Sequence, residues 1–218
     1  EVKRVLPIIN EDINEEWISD KTRYACDGLL NQRLDTPYIK YNNKFEKASW
    51  NEVYRIIKSK IENTNKDKIC GFVGDLTNME TSFIFKEFLE RTIDSRKYDF
   101  RSTKNYIDNS LRENYLFNSS INGIEDADLI LIIGSQPRYE ASMLDIRIRK
   151  SWLKSKTIVA RIGGGDKSSY PIMELGNKVS ILDEIFKGKH SFNKILDKSN
   201  KPLFLLGKNI YNRKDCLG

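Results

Sequence analysis

The stretch that decides the fold is Asp126–Leu153, DADLILIIGSQPRYEASMLDIRIRKSWL. Within it, Leu129–Ile133 is an apolar run, mostly β-branched, between an aspartate and a glycine. Such a run is typical of a strand covered on both faces, and it predicts a central strand of a parallel sheet. After Gly134, apolar residues recur at helical spacing as far as Trp152, with basic residues between them. The stretch therefore predicts a strand, a tight loop and an amphipathic helix.

The loop Gly134–Glu140 is the candidate functional site, because open α/β sheets bind ligands at the carboxyl ends of their strands. Its amides and Arg138 could hold an anion, as loops before helix N-termini do. Alternatively, Arg138 could brace a carboxylate such as Glu140 in a purely structural loop, and we favour this vestigial, non-binding alternative. The residues concerned are Gly134, Ser135, Gln136, Pro137, Arg138 and Glu140.

The same stretch carries a resemblance to a known family. Gly134–Glu140 and Ile146–Leu153 are very similar to the large iron–sulfur subunit of respiratory complex I, NuoG-like in bacteria. Further matching blocks occur in the family's order and at its approximate spacing, so the resemblance covers nearly the whole chain. These blocks are Arg4–Pro7, Asn10–Arg23, Asp27–Leu29, Gln32–Leu34 and Arg112–Leu116.

This resemblance implies an architecture and a role. Related molybdopterin oxidoreductases share the architecture, and in those enzymes the loop matching Gly134–Pro137 cradles a nucleotide portion of the pterin cofactor, which the complex I relatives lack. The chain would be a non-catalytic scaffold supporting electron transfer from NADH to quinone. Its partners would be other peripheral-arm subunits, and its membrane association would be only through them. Its location would be the matrix face of the mitochondrial inner membrane, or alternatively the cytoplasmic face of a bacterial inner membrane.

No cofactor is expected within the chain itself. Cys26, Cys70 and Cys216 lie far apart without a Cys-x-x-Cys pair, and His190 is the one histidine. These are too few ligands for zinc or an iron–sulfur cluster, and they favour reduced, packed thiols. By resemblance, the last cluster cysteine of the molybdopterin enzymes falls near Ser19, which cannot ligate iron comparably. We expect the iron–sulfur clusters in the family's more N-terminal part.

Composition and charge weigh against several other functions. With 218 residues, 39% of them hydrophobic, the chain can bury one substantial core. No apolar run approaches the roughly 20 residues that span a bilayer. The net charge of +6 would suit a nucleic-acid-binding module, but the 37 basic and 31 acidic residues are interspersed. Paired carboxylates such as Asp126 and Asp128 are explained by a solvated turn, and we predict no catalytic residue.

An acidic cluster surrounds Trp17 in the N-terminal segment. Its members are Glu11, Asp12, Glu15 and Glu16. The cluster is interpreted as a solvated loop pinned by one buried aromatic side chain, or alternatively as an interface anchor.

Elsewhere, strands and helices alternate. Short strands are expected at Val2–Leu6 and over Tyr38–Glu46, with a turn at Asn42 and Asn43. The glycines Gly163–Gly165 lack dinucleotide-binding spacing. The other predicted elements are capping boxes at Ser49–Glu52 and Thr77–Glu80, strands at Lys68–Val73, Tyr98–Phe100, Thr157–Ile162 and Leu203–Leu206, and helices at Ile181–Phe186 and Phe192–Lys198.

The pattern as a whole predicts an α/β fold with a doubly wound, mostly parallel sheet and a small N-terminal antiparallel lobe. We expect the lobe, residues 1–48, to be a remnant of the cluster-bearing lobe. Residues 49–218 would form the molybdopterin-oxidoreductase-like domain, truncated where a further helix should begin. A stand-alone nucleotide- or molybdopterin-binding oxidoreductase domain and a basic nucleic-acid-binding module remain as alternatives.

Overall fold

The computed structural model describes residues 2–29, 31–100 and 106–215. They form two compact units. The first unit holds the described residues up to Asp27 and from Tyr106 onward, and the second runs from Gly28 to Phe100.

The described residues form eight strands and seven α-helices. The strands are β1 Tyr38–Tyr41, β2 Lys44–Lys47, β3 Gly71–Phe72, β4 Tyr98–Asp99, β5 Leu129–Ile133, β6 Ile158–Ile162, β7 Met173–Gly176 and β8 Pro202–Leu206. The α-helices are α1 Asp20–Tyr24, α2 Trp50–Glu62, α3 Met79–Glu87, α4 Pro137–Glu140, α5 Ser142–Ser155, α6 Ser180–Phe186 and α7 Asn193–Leu196. A π-helix over Phe88–Ile93 continues α3, and a 3-10 helix over Asn122–Asp126 precedes β5.

The first unit is built on a four-stranded sheet in the order β7-β6-β5-β8. All of its neighbouring strands are parallel. The strand β5 pairs with β6 on one side and β8 on the other, and all of its residues are buried. The prediction of a central, parallel strand is confirmed.

Helices cover both faces of this sheet. On one face, Ile148 of α5 and Ile124 of the 3-10 helix are fully buried against the strands. On the other face, Ile181 of α6 and Phe192, just before α7, are buried. The α/β class is therefore confirmed, while the doubly wound topology stays a prediction. The edge strand β8 is covered on one face only, because Phe204 lies exposed between two buried leucines.

The predicted strand at Val2–Leu6 is wrong. That segment is irregular: its contacts include a hydrogen bond from the Val5 N–H to the Arg23 carbonyl at 2.9 Å and one from the Cys26 thiol to the Val2 carbonyl. A short stretch with strand-like residues makes a strand only where a partner strand is available. The hairpin β1–β2 is confirmed as an antiparallel pair, and Asn42 and Asn43 turn with φ of 45° and 65°.

The second unit also contains the parallel pair β3–β4 with α2 and α3. Ser49 caps α2 as predicted, since its Oγ accepts from the Glu52 N–H at 3.3 Å. The predicted strand Lys68–Val73 shortens to β3, because the Asn65 side chain accepts from the Asp67 N–H at 2.9 Å and starts a 3-10 turn.

The second predicted capping box is also wrong in detail, because the cap of α3 is Asn78 rather than Thr77. The Asn78 side chain accepts from the Thr81 N–H at 2.8 Å. Among the residues that the structure describes, no helix has the length and apolar character needed to cross a membrane.

Candidate functional site

The loop Gly134–Glu140 lies at the carboxyl end of β5, where the sequence predicts it. Gly134 adopts a φ of 64°, and its N–H donates to the Ile162 carbonyl at the end of β6, at 2.9 Å. Pro137 is buried and begins the short helix α4, for which its fixed φ and missing N–H are suited. The loop is thus tied to the end of β6 and leads directly into α4.

Glu140 satisfies the donors at the start of this loop. Its Oε2 accepts from the Ser135 hydroxyl at 3.0 Å, and its Oε1 accepts from the Gln136 backbone N–H at 3.0 Å. A carboxylate beside the first turn of a helix is electrostatically favourable. The negative charge that this loop accommodates is therefore one of the chain's own.

Arg138 and Gln136 join the loop to Asp166 and Lys167, which come directly after the three glycines that follow β6. The Arg138 Nη1 donates to the Lys167 carbonyl at 3.1 Å, and the Gln136 Oε1 accepts from the Asp166 N–H at 3.4 Å. The expected partner of Arg138 is a carboxylate such as Glu140. This expectation is wrong because Glu140 turns back onto Ser135 and Gln136, and the guanidinium finds a backbone carbonyl instead.

The point where the strand order reverses lies between β5 and β8, and a nucleotide would be expected there. Here the two backbones meet closely. The Gly207 N–H donates to the Ile133 carbonyl at 2.8 Å, and a Cβ on Gly207 would lie 2.2 Å from the Gly134 carbonyl oxygen. The Ile210 side chain covers Gly134, because a Cβ there would come within 3.0 Å of it. These glycines therefore serve backbone packing.

A mainly apolar cleft of about 830 Å³ adjoins Gly134. Among its lining residues, the charged ones are Asp183, Arg213 and Asp215. The Arg213 guanidinium donates to both oxygens of Asp215, at 2.8 and 2.6 Å, and this hydrogen bonding lowers the pKa of Asp215. Asp183 pairs with Lys187 at 2.6 Å. The charges of the described lining are thus already matched.

Buried polar groups beneath the loop were not found from the sequence. Arg161 of β6 is buried, and its Nε donates to Glu174 of β7 at 3.0 Å. The Tyr170 hydroxyl donates to Asp145 at 2.6 Å; burial, and then this hydrogen bond, raise the pKa of Tyr170. The tyrosine therefore stays protonated near neutral pH. One signal was present in the sequence, because Arg161 interrupts an apolar strand and a buried guanidinium requires a carboxylate.

Ser19 and Cys26, the candidate cluster ligands of the N-terminal segment, have structural roles. Ser19 caps α1, accepting from the Thr22 N–H at 3.2 Å. The Cys26 thiol is buried and donates to the Val2 carbonyl at 3.6 Å, whereas Cys70 is exposed. Cys216 lies outside the described residues, and within the described ones no group of three or more His, Cys, Asp or Glu side chains is placed to hold a metal.

The acidic loop, defined as residues 10–16, differs from the predicted solvated loop. Trp17 is 50% exposed, so it is not a buried pin. Instead, Glu15 pairs with Arg147 and Lys150 of α5. The sequence interpretation missed this because the partners are 132 and 135 residues away along the chain.

Comparison with known families identifies the architecture. Residues 33–217 match the family model described as molybdopterin oxidoreductase. The chain belongs to this family. Residues 1–27 match a second model, described as NADH-ubiquinone oxidoreductase NDSU1/NuoG-like, 4Fe-4S domain, which indicates iron–sulfur binding near the N-terminus in this family.

Similar curated proteins confirm the resemblance to the large complex I subunit. The NuoG-type NADH-quinone oxidoreductase subunit from Rickettsia conorii is 41% identical over 99% of this chain and 32% of its own length. The mitochondrial 78 kDa subunit of NADH-ubiquinone oxidoreductase from Candida albicans is 40% identical, and the 75 kDa subunit from Reclinomonas americana is 39% identical. Each comparison covers 99% of this chain, with 30% and 33% of the relative's length respectively. The chain thus spans about a third of these relatives.

The described residues do not fit either cofactor that the family names suggest. A nucleotide phosphate of a pterin cofactor would meet the Glu140 carboxylate, and the space over Gly134 is taken by Ile210. An iron–sulfur cluster is held by four protein ligands, whereas residues 1–27 supply the single thiol of Cys26. No chemical step through either group is derived for this chain.

Proposed function

We propose that this chain is a non-catalytic scaffold domain of the large peripheral-arm subunit of respiratory complex I. In that role it supports electron transfer from NADH to quinone without handling electrons itself. The observation that carries this proposal is the candidate loop, in which the Ser135 hydroxyl, the Gln136 backbone N–H and the Arg138 Nη1 each donate to an acceptor within the chain. The assembly is inferred from the names of the relatives, which are subunits of NADH-quinone and NADH-ubiquinone oxidoreductases.

Partners and location follow from the same proposal. The partners are other peripheral-arm subunits, nucleic acid is not among them, and membrane association is through those subunits. Iron–sulfur clusters belong to a more N-terminal part of the large subunit. The location is the matrix face of the mitochondrial inner membrane, or the cytoplasmic face of a bacterial inner membrane; relatives of both kinds occur. The division into a lobe of residues 1–48 and an α/β domain of residues 49–218 stays a prediction.

The test separates assembly from chemistry in the whole complex. Glu140→Ala removes the hydrogen bonds from Ser135 and Gln136, and Arg138→Ala removes the one to the Lys167 carbonyl. Each is worth about 1 kcal/mol, which is enough to lower abundance several-fold. We expect less assembled complex on native gels and unchanged NADH oxidation per flavin. The matched control is Arg149→Ala, since Arg149 is an exposed residue of α5.

Two other outcomes would replace the proposal. Normal assembly with lost turnover, together with loss of a copurifying nucleotide or pterin, would indicate a cofactor-binding oxidoreductase domain. Nucleic-acid binding that falls steeply with salt concentration would indicate a basic binding module.

A further inference from the structure

The acidic loop closes on itself and offers acceptors toward α5. The Asn10 N–H donates to the Glu15 carbonyl at 2.9 Å, and the Glu15 N–H donates to the Asn10 carbonyl at 2.7 Å. Glu15 turns the chain with a φ of 51°. The closed loop presents the carbonyl oxygens of Glu11 and Ile13 to Arg147.

Arg147 is the centre of this contact, and its side chain is only 5% exposed. Its Nη1 donates to Glu125 at 2.5 Å and to Glu15 at 3.2 Å. Its Nη2 donates to the Glu11 carbonyl and, at 3.4 Å, to the Ile13 carbonyl. A buried guanidinium that lost these acceptors would be left with an uncompensated charge.

Lys150, one turn further along α5, completes the contact. It pairs with Glu15 and lies 3.1 Å from the Glu125 carboxylate, so two cations share two carboxylates. The hydrogen bonds to Glu15 and Glu125 raise the pKa of Lys150. A further hydrogen bond runs from the Asn122 Nδ2 to Asp12 at 2.9 Å.

Apolar packing contributes little to holding this segment. Within residues 2–27, the described residue that is buried is Cys26 alone. An apolar cleft of about 760 Å³, lined by Leu6, Trp17 and Leu144 among others, remains open beside the segment. The attachment of the segment to the sheet therefore depends mainly on charged and polar contacts.

We propose that Arg147 is a positioning residue, and that with Lys150, Glu125 and Glu15 it forms a clasp that orients the N-terminal segment on the sheet. Glu15 lies in the part that matches the 4Fe-4S domain, and the other three lie in the part that matches molybdopterin oxidoreductase. The clasp thus fixes the part that matches the 4Fe-4S domain on the part that matches molybdopterin oxidoreductase. The proposal rests on contacts within the chain and does not depend on the scaffold role.

Peptide-resolved hydrogen exchange of the full-length native protein tests the clasp. In Arg147→Met, the amides of the acidic loop and α1 should exchange about 100-fold faster, since removing one partner of a buried ion pair is strongly destabilising. The amides of β5 should keep their wild-type rates. Arg149→Met, on the same helix, should leave both regions unchanged.

Two further variants keep the test decisive if Arg147→Met folds poorly. Glu15→Gln should speed exchange in the acidic loop by about tenfold, because it removes one of two carboxylates. Arg147→Lys keeps the charge but not the reach to two carbonyls, so it should fall between wild type and Arg147→Met. Equal acceleration in β5 and the acidic loop would show that Arg147 stabilises the whole core rather than orienting the N-terminal segment. Unchanged exchange in the acidic loop would show that the clasp does not hold this segment. Either result overturns the proposal.

Discussion

The two units form strands and helices from the same kinds of local sequence signal, but they differ in which side chains they bury. In the first unit every residue of β5 is buried, and α5 buries Arg147, Ile148 and Ser151. In the second unit, α2 and α3 are capped by Ser49 and Asn78, yet neither helix contains a buried residue. Local signals therefore decide where a helix begins, but they do not decide whether its apolar face is covered.

The extent of strand pairing accounts for the difference. The strands β3 and β4 pair over two residues each, whereas β5 pairs over five residues with both of its neighbours. A sheet with more extensive strand pairing offers more apolar area for helices to cover, and stabilisation grows with the area removed from water. Large apolar side chains of the second unit, such as Phe72 and Leu76, accordingly remain exposed.

The largest expected effect comes from shortening a side chain in β5. Ile132 is fully buried, so Ile132→Ala should lower the free energy of unfolding by about 2–5 kcal/mol through lost burial and a residual cavity. Ile84 of α3 is 65% exposed, and Ile84→Ala should change it by about 0.5 kcal/mol or less. Denaturant unfolding of both variants measures the contrast, and equal losses would break the comparison.

A smaller effect is expected from protonating the clasp. Burial alone would raise the pKa of Glu125, but hydrogen bonds from Arg147 and Lys150 outweigh it, and the pKa is lowered. A carboxylate whose pKa is lower folded than unfolded stabilises the fold above its unfolded value of about 4.3. That stabilisation is lost as pH falls through the folded pKa.

The pH dependence of unfolding for Glu125→Gln checks this contribution. Wild-type stability should fall more steeply below about pH 4 than that of the variant, because the glutamine has no proton to bind. Glu113→Gln, at an exposed position, should retain the wild-type slope. Parallel curves for wild type and Glu125→Gln would mean that the clasp carries no pH-dependent stability.

Much of the first unit could be predicted because its signals are local. An apolar run bounded by Asp128 and Gly134 gives β5, and helical periodicity as far as Trp152 gives α5, which continues to Ser155. By contrast, β7 was missed, since Met173–Gly176 is short and has no alternating pattern. A strand of this kind is defined by its neighbour β6 rather than by its own residues.

Polar contacts between residues distant in sequence, in the candidate site and at the other end of β5, were harder to predict. Asp128 shows why: its sequence context indicates a solvating residue, yet its carboxylate accepts from the N–H groups of Asn200 and Lys201 at 2.7 and 3.1 Å. The hydrogen bond from Ser199 and then that from Asn200 lower the pKa of Asp128. These partners lie more than 70 residues away in sequence. Charge patterning marks such a residue as polar without saying whether tertiary structure will pair it.

The smallest effect concerns the second unit, where capping is expected to matter more than burial. Asn78→Ala removes the acceptor for the Thr81 N–H and should cost about 1 kcal/mol of unfolding free energy. Thr77→Ala, one residue earlier, should cost about 0.5 kcal/mol or less, because Thr77 is exposed and is not the cap. Helical circular dichroism during denaturant unfolding measures both. If Thr77→Ala cost as much as Asn78→Ala, the helix would begin where the sequence pattern first placed it, and the local account of this unit would need revision.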